Sequence, residues 1–572
     1  MKKLNGILAL LLCLLFLVPA LASCRKETPD ATTAKPTTAG GEQGSSTSPT
    51  TEATTTSKWE TIGNALSAYA EADRTILIQY DTYASAENIP QNDKYIQGPD
   101  EVIDGTTSTI EEKVYNRNRK AADLLGVTLK YAQWGDLKWG AQADRILTLV
   151  KAADQTDAPD LFIDMLYDLN KTLKTFGAFK DIKSIPGSYF DFEAEGWMTD
   201  WMESLSFTED RAYIMGGDYF LELFRAMGVL PFNIDLMDAN ASRLAPAYLP
   251  VDESLGTDEQ LSTRFFDLVE QGKWTWDDLG KLCAAMWVDT DADGANSMGD
   301  TLGIITDQYT GLPASLIVYS AGVPLTETYV IEDETSEYNG KKWVRYYDDS
   351  SLLGSIYDAV ASVFSGPGAF VTNYNPDSGK TLKEHYAKFA SDTLLFAGPI
   401  VLGALEEESF QTMESIWSVV PIPKIKAEQE YNTMIHNIAD VGAINVKTTP
   451  DKARAISAFL QYCNENSKAI REDFQQVVTK FKTTTYNQGT DRMLNIIYDN
   501  VITGRDKALE DTAEGTSGKT SSSWMKGQGY LGTSAFVVEK YQSQLSGKQT
   551  KLDDILKKWY DLPTSATETP AE

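Results

Sequence analysis

Four aspartates follow one another at fixed spacing in the middle of the chain, and carboxylates spaced in this way are ligands for a hard divalent cation. Asp289, Asp291 and Asp293 stand at alternate positions, Gly294 comes next, and Asp300 closes the stretch. Counted from Asp289, the carboxylates fall at positions 1, 3, 5 and 12 of a calcium loop, with the glycine at position 6. The spacing therefore predicts a Ca²⁺ site.

Two further residues complete the predicted ligand set. Ala295 would supply a backbone carbonyl, and Ser297 would supply a hydroxyl or hold a water. Asp300 is one methylene shorter than the glutamate that usually closes such a loop, so we expect it to weaken binding or to give a single oxygen. The alternative is a solvated turn, because Asp and Gly are also common in ordinary loops.

The elements on either side of the aspartates indicate what kind of site this is. Thr275 followed three residues later by Asp278 is a capping box, which predicts the start of a helix. Residues 301–305 form an apolar run that predicts a strand, where an EF-hand would begin a second long helix. We therefore expect a structural clip between a helix and a strand. The apolar stripe of the helix consists of Trp276, Leu279, Leu282, Cys283, Met286 and Trp287.

The sequence offers few residues that could bind zinc or form a His-dependent catalytic site. The chain has 2 histidines, His385 and His436, and each stands far from any cysteine. Zinc sites and Ser-His or Cys-His catalysis both depend on histidines that have suitable partners. Cys283 and Cys463 fall on apolar helical patterns, where we expect buried structural thiols rather than a disulfide or a nucleophile.

The charge of the chain excludes two classes of partner. The formal net charge is −31, and both nucleic acid and anionic lipid surfaces are bound through clustered Lys and Arg. Hydrophobic residues make up 42% of the chain, which is enough for sizeable cores in a body that begins near Lys58. We expect a globular protein that binds no nucleic acid.

The N-terminal sequence predicts that the protein is located outside the cell. Two lysines precede an apolar run over residues 7–18, which indicates a secretory signal peptide over residues 1–23. Leu21-Ala22-Ser23-Cys24 resembles a bacterial lipobox, which implies lipidation of Cys24 and attachment to the extracellular face of the cell membrane. An ordinary signal peptide cleaved nearby is the alternative.

Two segments flank the body without the composition of a packed domain. Residues 24–57 are rich in Thr, Ser and Pro, which cannot bury enough apolar area to offset chain entropy. We expect a disordered tether there, beginning at the lipid anchor, and a disordered tail over residues 563–572.

The body alternates strand and helix patterns, which predicts an α/β fold. Apolar runs at residues 74–81, 127–131 and 160–164 read as strands separated by helical patterns. Such alternation implies parallel sheets whose ligand-facing loops follow the C-terminal ends of the strands.

A second set of strand and helix patterns begins near residue 213, and later runs at 393–399 and 417–421 read like strands of the first set. The chain thus leaves one α/β unit, builds another and returns. We expect lobe 1 to comprise residues 58–205 with 391–440, and lobe 2 to comprise residues 206–390 with 441–562.

Several motifs, taken in order, resemble the family 1 extracellular solute-binding proteins of ABC importers, which include maltose-binding proteins. The resemblance covers nearly the whole body, and residues 491–499 look like the helical addition of a longer clostridial subset. It implies a two-lobed, type II periplasmic-binding-protein-like fold with extra C-terminal helices, a monomer without catalytic residues, and delivery of a solute to importer permease subunits. The motifs are Trp274-Thr275-Trp276-Asp277-Asp278-Leu279, the aspartate loop that follows, Phe396-Ala397-Gly398-Pro399, and Val420-Pro421-Ile422-Pro423-Lys424.

Aromatic and acidic side chains stand together at several predicted strand ends. This mixture suits a sugar, because CH-rich faces stack on aromatic rings while carboxylates accept from hydroxyls. We therefore expect an oligosaccharide to bind in an interlobe cleft, with binding linked to hinge closure. The candidate ligand residues are Tyr80, Asp81, Trp134, Asp164, Tyr167, Asp218 and Tyr219.

Two other function classes remain open from the sequence. One is a surface glycoside hydrolase with paired carboxylates, although acidic residues are so plentiful that such a pair could arise by chance. The other is a calcium-dependent carbohydrate-binding adhesin, although adhesins of repeated modules should show internal repeats, which we do not find.

Trp274 and Trp276 are expected to anchor the helix before the aspartate loop rather than to touch solute.

Overall fold

The computed structural model describes residues 57–561, apart from 83–92, 105–106, 136, 138–139, 174–176, 207, 209, 374–382, 481–487, 503 and 507–520. The predicted signal peptide, Cys24, the predicted tether up to residue 56 and the predicted tail over residues 563–572 lie outside the described residues. Within the described ranges, no helix combines the length and the apolar character needed to cross a bilayer.

The described strands form two main sheets and one hairpin. The strands are β1 Thr75–Asp81, β2 Thr128–Trp134, β3 Leu161–Met165, β4 Gly228–Asn233, β5 Leu302–Asp307, β6 Thr326–Val330, β7 Lys342–Tyr346, β8 Ala369–Thr372, β9 Leu394–Ala397, β10 Ile400–Val401, β11 Trp417–Val420 and β12 Asp440–Ile444.

Both main sheets use the same strand order. The first sheet runs β2-β1-β3-β12, with β1, β2 and β3 parallel and β12 antiparallel to β3. The second runs β8-β5-β9-β4, with β5, β8 and β9 parallel, β4 antiparallel to β9, and β10 and β11 both paired with β4. In each sheet the antiparallel strand is the first one after the chain arrives from the other lobe. The predicted two-lobed, type II α/β architecture is confirmed.

Helices connect the strands of both lobes. A π-helical turn covers Asp93–Gln97, and a 3-10 helix covers Leu402–Glu406. The α-helices are α1 Lys58–Leu66, α2 Glu71–Arg74, α3 Thr109–Leu125, α4 Gln142–Lys151, α5 Leu166–Leu173, α6 Thr199–Ser204, α7 Glu222–Arg225, α8 Ile234–Ala239, α9 Ala241–Tyr248, α10 Leu261–Glu270, α11 Trp276–Met286, α12 Leu312–Ser320, α13 Ser351–Phe364, α14 Lys383–Ala390, α15 Glu408–Thr412, α16 Pro450–Glu465, α17 Lys468–Lys480, α18 Gln488–Asp499, α19 Ser521–Gly527 and α20 Ser534–Tyr560.

Local signals set the ends of the longer helices. Ser108 caps α3 in a reciprocal capping box with Glu111, and Gly126 ends that helix at a φ of +63°, a left-handed conformation that glycine adopts without strain. The predicted capping box of Thr275 and Asp278 starts α11, with the threonine hydroxyl accepting from the Asp278 N–H at 3.3 Å. These helix boundaries follow from the sequence.

The division of the chain between the lobes differs from the expected one. The run at 391–440, expected in lobe 1, contributes β9 and β11 to the second sheet, where Phe396 lies opposite both Phe232 and Ile304. Backbone pairing decides the lobe here, and it keeps this segment with β4 and β5. The chain returns to lobe 1 only at β12.

Two further segments also change lobe relative to the expectation. The described residues of 206–226, expected in lobe 2, belong to lobe 1, since Met215 pairs with Gly442 of β12 and the Ile182 N–H donates to the Ala212 carbonyl. Residues 441–480 belong to lobe 1 as well, because α16 packs against α1 and α3 and α17 packs against α3. Lobe 1 therefore holds the described residues up to 226 and 436–480, and lobe 2 holds 228–434 and most of the described chain from 488 onwards.

The predicted extra helices near the C-terminus are present in lobe 2. Helix α18 packs against α10 and β11, α19 packs against α12, and α20 packs against α13 and β7. The hairpin of β6 and β7 belongs to the same lobe.

The tryptophans and thiols expected in the core are buried there. Trp274 is fully buried, stacks on Phe396 with ring centroids 5.7 Å apart, and donates its indole N–H to the Pro421 carbonyl at 3.0 Å. Cys283 and Cys463 are buried free thiols, and burial raises the pKa of both. The structural role predicted for them is confirmed.

Candidate functional site

Among the described residues, two antiparallel chain segments cross between the lobes. The Gly228 N–H donates to the Met434 carbonyl at 3.0 Å, and the His436 N–H donates to the Ala226 carbonyl at 2.9 Å. Met227 and Ile435 form a bridge between these two bonds. A pair of short crossing segments of this kind can act as a hinge, because a few backbone dihedrals absorb the rotation of one lobe against the other.

A buried ion pair lies beside the hinge. Arg225 of lobe 1 is fully buried and donates through Nη2 to Oε2 of Glu406 at 2.7 Å and through Nε to Oε1 at 3.2 Å. Glu406 ends the 3-10 helix of lobe 2. The same guanidinium bonds Glu222 of its own helix. Two carboxylates from the two lobes thus balance one buried cation.

The C-terminal edge of the first sheet gathers the candidate residues of lobe 1. Strand β1 ends at Asp81, which lies opposite Trp134 at the end of β2, while Tyr80 lies opposite Ile163 of β3. The next position on β3 is Asp164, so Asp81 and Asp164 stand on neighbouring strands at this edge. Ligands of open α/β sheets bind outside the C-terminal ends of the strands.

The acidic groups at this edge influence one another. The pKa of Asp164 lies well above its usual range, because burial disfavours its charge and because Asp81 and Asp168 stand near it. Its carboxylate accepts from the Gln79 side-chain amide at 3.0 Å and from the Met165 N–H at 2.9 Å. Burial also raises the pKa of Asp168, although the hydrogen bond that its carboxylate accepts from the Ala143 N–H at 3.0 Å acts in the opposite direction.

Hydrogen-bonding capacity remains at the same edge. Gln79 Oε1, both polar atoms of the Gln142 side chain and Asp168 Oδ2 are buried and have no hydrogen-bond partner among the described residues. Buried polar atoms are normally paired with protein or with water. The edge of lobe 1 can therefore accept from and donate to further polar groups, such as water or hydroxyls.

The aromatic candidates of lobe 1 surround this edge. The Tyr80 hydroxyl donates to Gln97 Oε1 at 2.6 Å, and the guanidinium of Arg145 lies 3.9 Å from the centroid of the Trp134 ring. Tyr167, at the start of α5, is half-buried. Tyr80, Asp81, Trp134, Asp164 and Tyr167 thus lie at one edge, as the sequence predicts, and their contact with a solute stays a prediction.

Asp218 and Tyr219 are held differently. Tyr219 is fully buried in the core of lobe 1, with the Arg117 guanidinium 4.6 Å from its ring centroid. Its N–H donates to Asn464 of α16, and Asp218 pairs with Arg471 of α17 at 3.2 Å. The turn that carries these two candidate ligand residues, which were expected in lobe 2, is thus held by two helices of lobe 1, and their contact with a solute stays a prediction.

The corresponding edge of lobe 2 holds polar residues that the sequence patterns did not single out. Asp307 ends β5 opposite Thr372 at the end of β8, and Thr372 Oγ1 lies 2.6 Å from His385 Nε2 and 3.3 Å from Asp307 Oδ1. Burial lowers the pKa of His385 to about 4, so the imidazole is neutral near pH 7. A signal was available, because Asp307 follows an apolar run as Asp81 does.

A cavity beneath this lobe 2 edge is too small for a solute. Its volume is about 10 Å³, room for one water at most, and Ile305, Asp307, His385 and Pro399 are among its lining residues. A solute would have to lie outside the strand ends rather than beneath them.

The aspartate loop brings three of its four predicted carboxylates together. Carboxylate oxygens of Asp289, Asp291 and Asp293 lie within 4.8 Å of one another. The Asp289 carboxylate also accepts from the Gly294 N–H at 2.8 Å, which folds the loop around the cluster. Grouped oxygen donors of this kind fit a hard cation such as Ca²⁺.

Asp300 plays another part in this loop. Its side chain is buried, and its two oxygens accept from the Thr290 N–H at 2.9 Å and the Ser297 N–H at 2.8 Å. The bond from Thr290 is the largest of the effects that hold the pKa of Asp300 below its usual value. The Ala295 N–H donates to Asp293 at 2.8 Å. Asp300 thus fastens the loop from within, and the described cluster of three acids does not include it.

No protein-family model and no curated protein matches the chain. Solved structures with a similar fold include a cyclo/maltodextrin-binding protein complexed with maltotetraose, at 11% identity over 86% of this chain and 99% of that one, with a TM-score of 0.43. A family 1 extracellular solute-binding protein from Bifidobacterium longum subsp. infantis is 13% identical over 85% and 99% of the two chains, with a TM-score of 0.42. A solute-binding protein from Thermotoga lettingae bound with alpha-D-tagatose is 13% identical over 84% and 100%, with a TM-score of 0.41. These are solute-binding proteins of the kind that the sequence motifs resemble.

Proposed function

We propose that this chain is a membrane-anchored extracellular solute-binding protein that captures an oligosaccharide between its lobes and delivers it to an ABC importer without chemical turnover. One observation carries the proposal. In two sheets of the same strand order, the strand next to the edge strand ends in a buried aspartate, Asp81 or Asp307, and two short crossing segments join the lobes among the described residues. A hinge between two polar strand edges suits capture of a polar solute.

The chemistry of the lobe 1 edge supports a sugar as the solute. Tyr80, Trp134 and Tyr167 bring aromatic rings to an edge that also carries Asp81 and Asp164. Rings pack against the CH faces of a sugar, and the carboxylates accept from its hydroxyls. The unpartnered polar atoms of this edge offer further bonds to hydroxyl groups.

A structural calcium ion and a lipid anchor are parts of the same proposal. The cluster of Asp289, Asp291 and Asp293 would hold the ion between α11 and β5, with no part in binding solute. Cys24 would carry the lipid and keep the protein, as a monomer, at the extracellular face of the cell membrane near the permease subunits. The acidic surface leaves nucleic acid out of the set of partners.

Binding without turnover is the test of the function. Purified protein is melted with maltotetraose, cellotetraose and xylotetraose in separate samples, and the same mixtures are incubated and analysed for shorter sugars by chromatography. We expect at least one sugar to raise the melting temperature, because a ligand that binds only the folded state stabilises it. We expect no shorter products.

The Asp81→Asn variant tests whether the sugar binds at the proposed site. It should keep the melting temperature of the ligand-free protein within a few degrees and lose most of the sugar-induced rise. Release of shorter sugars would make the protein a hydrolase and overturn the proposal. A sugar-induced rise that is the same in the variant would place the site elsewhere.

A further inference from the structure

The last helix of the described chain reaches from one lobe to the other. Helix α20 has 27 residues and is therefore about 40 Å long. At its beginning, the Ser534 N–H donates to Asp358 of α13 at 2.8 Å. Further along, Gln549 accepts from the Tyr346 N–H and Asp553 accepts from the indole N–H of Trp343, both at 2.9 Å. These contacts fix most of α20 to lobe 2.

One side chain near the end of the same helix is buried in lobe 1, while the next residue, Tyr560, stacks on Trp343 of the lobe 2 hairpin. Trp559 is 1% exposed, and its ring meets Tyr213 edge to face with centroids 4.8 Å apart. Its backbone carbonyl accepts from Arg211 Nη1 at 2.9 Å. Leu173, Met202 and Leu205 line the same small space around the indole. Each of these partners of Trp559 belongs to lobe 1.

A second segment, residues 504–506, also contacts both lobes. The Gly504 N–H donates to Ser204 Oγ at 2.9 Å, and Arg505 Nε donates to the Ser204 carbonyl at 3.2 Å. Asp506 turns to lobe 2, where its carboxylate accepts from the Leu325 N–H at 2.8 Å and from the Thr326 hydroxyl. The connection therefore reaches lobe 1 at Ser204, directly before Leu205 in the Trp559 pocket.

We propose that α20 is a strap and that Trp559 is its latch, so that docking of this side chain holds the two lobes in one arrangement. The Trp559 ring packs against Tyr213, and the Trp559 backbone carbonyl accepts from Arg211. Close-packed groups of this kind do not shift gradually against one another. Rotation of the lobes about the crossing segments must therefore either carry the strap along or withdraw Trp559 from lobe 1. The lobes of this protein are held by the strap as well as by the hinge.

The test measures the distribution of lobe separations without any solute. Spin labels are attached to Lys130→Cys on β2 and Asp277→Cys on α11, both exposed positions, in the full chain with Cys13 and Cys24 changed to Ala. The two remaining cysteines are buried and should resist labelling. Electron–electron double resonance then reports the label distances.

We expect one narrow distance distribution for the labelled protein. Trp559→Ala should broaden it and add a second, displaced population, because the latch is lost. The matched control is Val537→Ala, which removes a buried apolar side chain from the lobe 2 end of the same helix and should leave the distribution narrow. An unchanged distribution in Trp559→Ala would overturn the proposal.

A truncation after Lys557 guards against misfolding of the point variant. It removes residues 558–572, among them Trp559 and Tyr560, whose ring stacks on Trp343 of the hairpin, and it keeps the contacts of Gln549 and Asp553 with the hairpin. Circular dichroism would confirm that both altered proteins are folded. A folded truncated protein with the original narrow distribution would also overturn the role of the latch.

Discussion

Asp81 and Asp307 occupy the same place in the two lobes, since each is the last residue of the strand next to the edge strand of its sheet and each is buried. Their register partners differ, however. Asp81 lies opposite Trp134, whereas Asp307 lies opposite Thr372, which bonds His385. Lobe 1 thus combines its carboxylate with an aromatic ring, and lobe 2 combines its carboxylate with hydroxyl and imidazole groups. A polar solute that reached both edges would meet one strand-end carboxylate from each lobe.

The first prediction concerns the lobe 2 half of the site. Asp307→Asn should weaken binding of the sugar that gives the largest melting shift by about tenfold or more, because a hydrogen bond to a charged group contributes about 1.5–3 kcal/mol. Isothermal titration calorimetry measures the affinity. Asp277→Asn, a change of an exposed carboxylate on α11, is the control and should bind as the unchanged protein does. Equal affinity in both variants would restrict binding to lobe 1.

The second prediction concerns calcium. Asp289, Asp291 and Asp293 repel one another without a cation, so a chelator should lower the melting temperature of calcium-loaded protein. An ion present at a hundredfold its dissociation constant stabilises the folded state by about 2.7 kcal/mol. Asp291→Asn should remove the sensitivity to chelator, while sugar affinity changes little. A melting curve that does not move with chelator would reduce the loop to an acidic turn.

The third prediction separates Asp300 from these three acids. Its two oxygens accept from two backbone N–H groups, and in Asp300→Asn the amide nitrogen replaces one of these oxygens and cannot accept, so one N–H group loses its acceptor in a buried place. We expect a loss of about 1–3 kcal/mol in the free energy of unfolding, with and without calcium. Urea unfolding of this variant and of Asp291→Asn, each with calcium and with chelator, gives the comparison. A loss that appears only with calcium would return Asp300 to the ligand set.

Local patterns in the sequence were enough to predict β1, β3 and α11, because strand alternation and capping depend on neighbouring residues. They did not determine which sheet β9 and β11 would join. An apolar run such as Leu394–Ala397 is compatible with either sheet, and its partners lie far away in the sequence. Strand pairing is a non-local property, and the lobe division failed for that reason.

The candidate site shows the same limit. Asp81 and Trp134 come together because they end adjacent strands, which the sequence pattern indicates. Tyr219 follows a Gly-Gly-Asp turn that looks like a ligand loop, yet Asn464 draws it into the core from 245 positions further along the chain. His385 reaches Thr372 from a helix that follows β8, and nothing in the local pattern predicts that contact.

The fourth prediction concerns the membrane anchor. Cys24→Ala removes the thiol that the lipobox would acylate, so the protein should move from the membrane fraction to the medium. Immunoblots of the two fractions measure the change, and Cys283→Ala, which alters a buried thiol, is the control that should stay with the membrane. If the Cys24 variant stays in the membrane fraction, another segment anchors the protein.

The last prediction concerns acid stability and His385, whose imidazole is buried beside Thr372 and has a pKa lowered to about 4. Below the unfolded pKa of about 6.5, the imidazole of His385 is protonated in the unfolded chain but stays neutral in the folded protein. The contribution of His385 to stability is therefore complete above pH 6.5 and is lost as the pH falls towards 4, by up to about 3 kcal/mol.

His385→Gln should remove this part of the pH dependence. Asp218, whose pKa is raised to about 6, acts in the opposite sense, because its protonated form is favoured in the folded protein and its contribution is lost as the pH rises from 3.8 to 6. That effect is present in both proteins and cancels when they are compared. Urea unfolding at about pH 7 and about pH 4.5 should show a smaller loss of stability in the variant. Equal losses in the two proteins would mean that the buried imidazole does not titrate with unfolding as proposed.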